Sequence, residues 1–142
     1  MAGYFTKLNG HVYEGEYTAA EELANGVFAE ITADGVKKIT VAGDAEFVID
    51  EKTTLWGANA VRMHCVNEGS KDQYLVENEF EDYGDKDIDY AEYTVQKGHF
   101  VKMRAPEKGD QIIVSVEDTL YNSLSVGDTV TPAANGTIAK KA

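Results

Sequence analysis

Val27-Phe28-Ala29-Glu30-Ile31-Thr32-Ala33-Asp34-Gly35-Val36-Lys37-Lys38-Ile39-Thr40-Val41 is the stretch that decides the fold class. Two runs rich in β-branched and apolar residues flank Asp34-Gly35. Glycine accepts positive φ without steric cost, so Asp-Gly between such runs is a strong hairpin signal. Working outward, the same texture recurs. Ala45–Asp50, Ala60–Val66, Gln73–Phe80, Glu92–Gln96, Phe100–Arg104 and Gln111–Val116 all read as strands. The chain has 13 glycines and 2 prolines, a balance that suits strands joined by glycine turns. Glycine-bounded runs repeat loosely at 26–35, 98–109 and 127–136, at a spacing too irregular for a solenoid. The expected fold is mainly β: a β-barrel or sandwich built of glycine-turn hairpins.

Helix signals are few. Thr18-Ala19-Ala20-Glu21-Glu22-Leu23-Ala24-Asn25-Gly26 carries a threonine cap, a glutamate three residues later and a glycine stop, which predicts about two turns. A second short helix is expected over Asp118–Leu124. One or two short helices are therefore the most that the chain should contain. At 142 residues the prior is a single domain, residues 1–142, with a short N-terminal arm over about residues 1–10.

Charge narrows the function classes. Lys plus Arg number 13 and Asp plus Glu 25, for a formal charge of −12. That sign opposes binding to phosphate backbones and to anionic membrane surfaces, so neither nucleic acid nor membrane is an expected partner. With one cysteine, Cys65, no intrachain disulfide can form, and a reducing cytoplasm is the expected place of synthesis. The residues after Met1 lack an apolar core of signal-peptide length.

Catalytic and metal motifs are sparse. His11, His64 and His99 do not pair at zinc-ligand spacings. His64 and Cys65 are adjacent in a strand and so point to opposite faces, which predicts a buried thiol beside a solvent-facing imidazole. Ser115, Ser123 and Ser125 have no nucleophile motif around them. Glu77, Glu79, Glu81, Asp82, Asp85, Asp87, Asp89 and Glu92 form an acidic run. Asp85-x-Asp87-x-Asp89 opens like a calcium loop. Tyr90 then stands at the sixth position and Gln96 at the twelfth, where glycine and glutamate are needed. A solvated acidic loop is the expected reading, with no metal, no cofactor and no enzymatic activity. Tyr74, Tyr83, Tyr90 and Tyr93 flank that run. They suit half-buried strands or a sugar- or protein-binding face. Trp56 is either a core plug or an interface anchor. Asn135-Gly136-Thr137 matches a glycosylation sequon without an accompanying secretory signal.

Three segments resemble the small β-rich decoration, or cement, proteins on the heads of tailed bacteriophages. They are Gly57-Ala58-Asn59-Ala60-Val61-Arg62-Met63, then Tyr74-Leu75-Val76-Glu77-Asn78-Glu79-Phe80, then Leu124-Ser125-Val126-Gly127-Asp128-Thr129-Val130-Thr131-Pro132-Ala133 running to Lys140-Lys141-Ala142. The resemblance implies a structural virion protein on the capsid exterior that binds the major capsid protein and stabilises the shell. It also implies a homo-oligomer, with a trimer the expected form, and it carries over no catalytic or binding residue. Tyr4, Phe5 and Trp56 are the candidate interface residues: the N-terminal segment is either an ordinary first strand or one that docks on a neighbour by strand addition. The alternative function is a phage fibre or adhesion domain that holds host-surface glycans with the tyrosine and acidic residues.

Overall fold

A computed structural model describes residues 3–7, 12–55, 57–77 and 94–141. The chain is mainly β, as its hairpin texture predicts. The six-stranded sheet runs β1–β11–β7–β6–β12–β13, formed by Gly3–Lys7 (β1), Gln111–Ser115 (β11), Ala58–Asn67 (β7), Glu46–Leu55 (β6), Thr129–Pro132 (β12) and Ile138–Lys140 (β13). The five-stranded sheet runs β2–β10–β8–β4–β5, formed by Val12–Tyr13 (β2), Met103–Arg104 (β10), Tyr74–Val76 (β8), Phe28–Thr32 (β4) and Gly35–Lys38 (β5). Leu23–Ala24 (β3) and Thr94–Val95 (β9) make a third, two-stranded sheet, and every ladder is antiparallel. One α-helix, Asp118–Ser123 (α1), and one 3-10 turn, Ala134–Gly136, complete the elements among the described residues.

The predicted hairpin is β4–β5, closed where Thr32 pairs with Gly35. Gly35 adopts φ +124°, and a Cβ there would meet the Thr18 carbonyl oxygen at 2.6 Å. Glycine is therefore required twice, by conformation and by space. Two ten-residue strands, β6 and β7, form the longest hairpin. Their alternation sends Phe47, Ile49, Val61, Met63 and Cys65 to one face, where they are almost wholly buried.

Two cores result. The first lies between the sheets in sandwich fashion: Phe28 and Leu75 of the five-stranded sheet meet Phe47, Met63, Ile112 and Val130 of the six-stranded one. The Phe28 and Phe47 rings lie 5.7 Å apart. Val116, Leu120 and Tyr121, from α1 and the residues before it, close one end. The second core occupies the other face of the five-stranded sheet and contains Ala19, Leu23, Ala29, Val36, Val76, Val95, Val101 and Met103.

The five-stranded sheet curls around this second core. The segment after β2 runs antiparallel to the segment before β10: Thr18 bridges Phe100, and the Val101 N–H donates to the Tyr17 carbonyl at 2.9 Å. The same segment then reaches the edge of β5, where Ala19 bridges Val36. Closure on that side consists of isolated bridges rather than a ladder, so no barrel closes, and of the two expected architectures the sandwich is the one formed.

The helix expected over Thr18–Gly26 is absent. Thr18 and Ala19 sit in bridges, and Leu23–Ala24 is β3, paired with β9. A two-turn helix gains few internal bonds for its nucleation cost. Distant chain supplies the bonds instead: the Ala19 N–H donates to the His99 carbonyl and the Ala20 N–H to the Val36 carbonyl, both at 2.9 Å. The second expected helix forms as α1. Lys52 Nζ donates to the Leu124 carbonyl at 2.8 Å and sits 4.2 Å above the Tyr121 ring, fastening α1 to β6.

Candidate functional site

A cleft of about 770 Å³ opens where the curled sheet meets the six-stranded sheet. Ala24 of β3, Val27, Lys38 of β5 and Thr94 of β9 line one side. Ala58 of β7, Ser115, Val116, Glu117, Leu120 and the stretch from Thr137 to Ala139 line the other. The Asn135-Gly136 turn shapes one end. Asn135 holds φ +72° and Gly136 φ +79°. A Cβ on Gly136 would run into Val27 Cγ1 and come within 2.7 Å of the Phe28 carbonyl oxygen. The Asn135 N–H donates to the Ile39 carbonyl at 2.9 Å, tying the turn to the end of the curled sheet. Glu22 and Glu117 put two carboxylates on the rim, while Lys38 is partnered by Glu21 at 3.8 Å.

A second polar constellation lies on the outer face of the six-stranded sheet. Val48 opposes His64, Ile49 opposes Met63 and Glu51 opposes Arg62, so Asp50 is the extra residue of a bulge. Bulges re-aim side chains, and Asp50 is turned onto His64. The His64 Nδ1–H donates to the Asp50 carboxylate, with distances of 2.9 and 2.8 Å to its two oxygens. Arg62 beside it pairs with Glu51 at 3.5 Å.

Glu77 is the exception within the acidic run. The run is expected to be solvated, yet Glu77 is buried, because Arg104 reaches it. Arg104 Nε donates to Glu77 Oε1 at 3.0 Å, and Nη2 forms an ion pair with the same oxygen at 2.9 Å. The backbone places them together: Arg104 opposes Leu75 across β8–β10, and Glu77 follows two residues after Leu75 on the same face. Such a pair is held by its mutual attraction and is costly to break from one side. Residues 78–93 of the run, including Asp85, Asp87 and Asp89, lie outside the described residues. Among the described residues, no group of three or more His, Cys, Asp or Glu side chains is placed to hold a metal ion.

Cys65 and His64 fall on opposite faces, as strand alternation predicts. Burial pushes the Cys65 thiol up to about 11, which keeps it protonated and poorly nucleophilic at neutral pH. Tyr74 packs edge-on against Tyr13 at 5.3 Å, and Tyr13 against Tyr17 at 5.8 Å. Burial, then the neighbouring Tyr13, pushes the Tyr74 hydroxyl up to about 12. These rings pack against the second core instead of forming an open platform. Tyr83, Tyr90 and Tyr93 lie outside the described residues.

Of the candidate interface residues, Tyr4 and Phe5 fall in β1, opposite Ile113 and Ile112 of the same chain. The segment thus forms the edge strand of its own sheet. Trp56 lies outside the described residues, in the chain between paired Leu55 and Ala58. Nothing in the sequence signals the cleft or the Asp50–His64 pair, since one depends on how two sheets meet and the other on a bulge. No helix among the described residues is long and apolar enough to cross a membrane. Comparison with protein-family models, with curated proteins and with solved structures finds no match to this chain.

Proposed function

We propose that this chain is a decoration protein of a tailed-phage head, bound to the outside of the assembled shell through the major capsid protein and acting as a closed oligomer, a trimer by resemblance. The observation that carries the reading is where the three resembling segments fall. They supply β7, β8 and the β12–β13 hairpin, and their Val61, Met63, Leu75, Val76, Leu124 and Val130 are all buried. The likeness therefore resides in the scaffold, which is the part a family of structural proteins would share. The charge of −12 fits the role, since it favours solubility at high expression and repels packaged DNA.

The competing reading, a glycan-binding adhesion domain, draws on Tyr74, Tyr83, Tyr90 and Tyr93. The only one of these among the described residues, Tyr74, is half-buried against Tyr13. Immunogold labelling of intact virions separates the two. Label distributed over the head surface is the expected result. Label confined to tail tips favours adhesion, and unlabelled virions overturn both.

A further inference from the structure

We infer that the turn at residues 96–100 of one copy of this chain seats in the cleft of a second copy. Residues 94–106 contain Lys97, Lys102 and Arg104 and no Asp or Glu, in a chain with 25 acidic residues. Residues 96–100 are all exposed, Phe100 to 61%. A single exposed apolar side chain is ordinary. Phe100 differs in how it is held and in what stands beside it. The His99 N–H donates to the Gln96 carbonyl at 3.1 Å and closes the turn. The Gly98 N–H donates to the Ala19 carbonyl at 2.8 Å, the Ala19 N–H donates back to the His99 carbonyl at 2.9 Å, and Thr18 bridges Phe100. Val101 turns into the second core, so alternation turns Phe100 outward. Fixed backbone thus presents the ring, and little chain freedom is lost on binding. Beside it, Lys97 has no ion-pair partner among the described residues, whereas Lys37, Lys38, Arg62, Arg104, Lys140 and Lys141 each have one.

The cleft offers the complement. Val27 and Ile138 are already covered, but Val116 and Leu120, which also line it, are only partly buried. Its volume of about 770 Å³ leaves room for a phenyl ring. Glu22 and Glu117 are exposed on its rim with no ion-pair partner among the described residues. An aromatic anchor beside a cation matches a hollow beside carboxylates. Turn against turn sets cation against cation, and cleft against cleft sets carboxylate against carboxylate, so unlike patches meet. A contact between unlike patches closes into a ring where its rotation allows. The charge of −12 opposes association at long range, but physiological salt screens it beyond about 8 Å and leaves the local match to decide. That the ring has three members rests on the decoration reading; the contact does not.

The test mixes the full chain with an equal amount of the same chain carrying heavy nitrogen, and joins them with a carbodiimide, which links an amine to a carboxylate in contact with it. The expected product, read by mass spectrometry, is an amide between Lys97 of one isotopic form and Glu117 or Glu22 of the other. Sedimentation velocity should show association over the micromolar to millimolar range of weak interfaces. Phe100→Ala should weaken it about thirtyfold, the scale of one aromatic anchor. Lys97→Glu should weaken it about fivefold, the scale of one exposed charge pair. Adding Glu117→Lys to Lys97→Glu should return association to within about threefold of wild type, because the two charges exchange places. A wild-type chain that stays monomeric throughout overturns the inference. So do Lys97 links confined to one isotopic form, Lys97 links to carboxylates away from the cleft, or equal association of Phe100→Ala and wild type. Should Phe100→Ala lower the melting temperature, the cross-links of the wild-type chain decide alone. On phage heads the two claims separate. Wild-type protein that binds heads without the Lys97 link overturns the contact and keeps the decoration reading, whereas linked oligomers that leave heads bare keep the contact and remove that reading.

Discussion

The first core is held between two sheets, with the longest hairpin among the described residues on one side, whereas the second is wrapped by a curled sheet whose last side is joined through the short bridged contacts at Thr18–Phe100 and Ala19–Val36 rather than through a ladder. Each ladder in the first region repeats its backbone bonds over up to ten residues, so losing one leaves its neighbours in register. In the second region two isolated bridges and the few backbone bonds around them carry the connection. The first core also contains the larger rings, Phe28 and Phe47, against the aliphatic side chains and flanking tyrosines of the second. What the contrast teaches is that one short chain combines a strongly determined sandwich with a more loosely fastened curl, and that the cleft lies where they meet.

The largest expected effect comes from truncating the first core. Phe47→Ala removes a fully buried ring from the sandwich centre and should destabilise by about 3–5 kcal/mol in urea titration. Met103→Ala in the second core should cost nearer ~2 kcal/mol, at the low end for such truncations, because the curl can relax into the space. Equal losses would show that the two cores are fastened alike.

Breaking the buried ion pair comes next. Arg104→Leu leaves Glu77 uncompensated and should cost about 3 kcal/mol, whereas adding Glu77→Leu should recover most of that loss. A double variant as unstable as the single one would mean that Arg104 acts through other contacts.

The turns give a smaller, sharper contrast. Gly136→Ala meets both positive φ and the Phe28 carbonyl, and should cost about 1–3 kcal/mol. Gly57 also has positive φ, +81°, but nothing stands within 4 Å of a Cβ there. Gly57→Ala should therefore cost only about 1 kcal/mol, the conformational part. Indistinguishable melting curves for the two variants would remove the close approach as a cause.

How much of this was legible in the sequence follows the same division. The β4–β5 hairpin reads from Asp34-Gly35 alone, and the β6–β7 face from alternation, because both signals lie within a few residues of their consequence. α1 reads correctly for the same reason. Thr18–Gly26 misleads because its capping residues are local, while the bonds that decide its conformation come from His99 and Val36. Glu77 misleads because its acidic neighbours suggest solvent, and its partner Arg104 is 27 residues away. The Asp50–His64 contact depends on a bulge that leaves no compositional mark.

The smallest effect is on the acid side. Hydrogen bonds from the Ser70 side chain and then its backbone hold Asp44 below the usual carboxylate range, and the Ser125 N–H does the same for Asp128. Lowered native values mean that this stabilisation is complete above the ordinary carboxylate range near pH 4 and fades as pH falls through the native values. Asp44→Asn should therefore lower the melting temperature slightly at pH 6 and leave it unchanged at the acid end of the titration. A loss that persists at low pH would assign Asp44 a role unrelated to its charge.

The central claim, that this chain decorates a phage head, is tested most directly by cosedimentation with heads from a phage that encodes it but has had its reading frame deleted. Saturable binding is expected. It should persist in about 0.5 M NaCl, where the screening length falls to roughly 4 Å, because backbone and apolar contacts outlast screened charge. Trp56→Ala should weaken retention without lowering the melting temperature if Trp56 is an anchor. Wild-type protein that stays in the supernatant at every concentration and salt would contradict the claim.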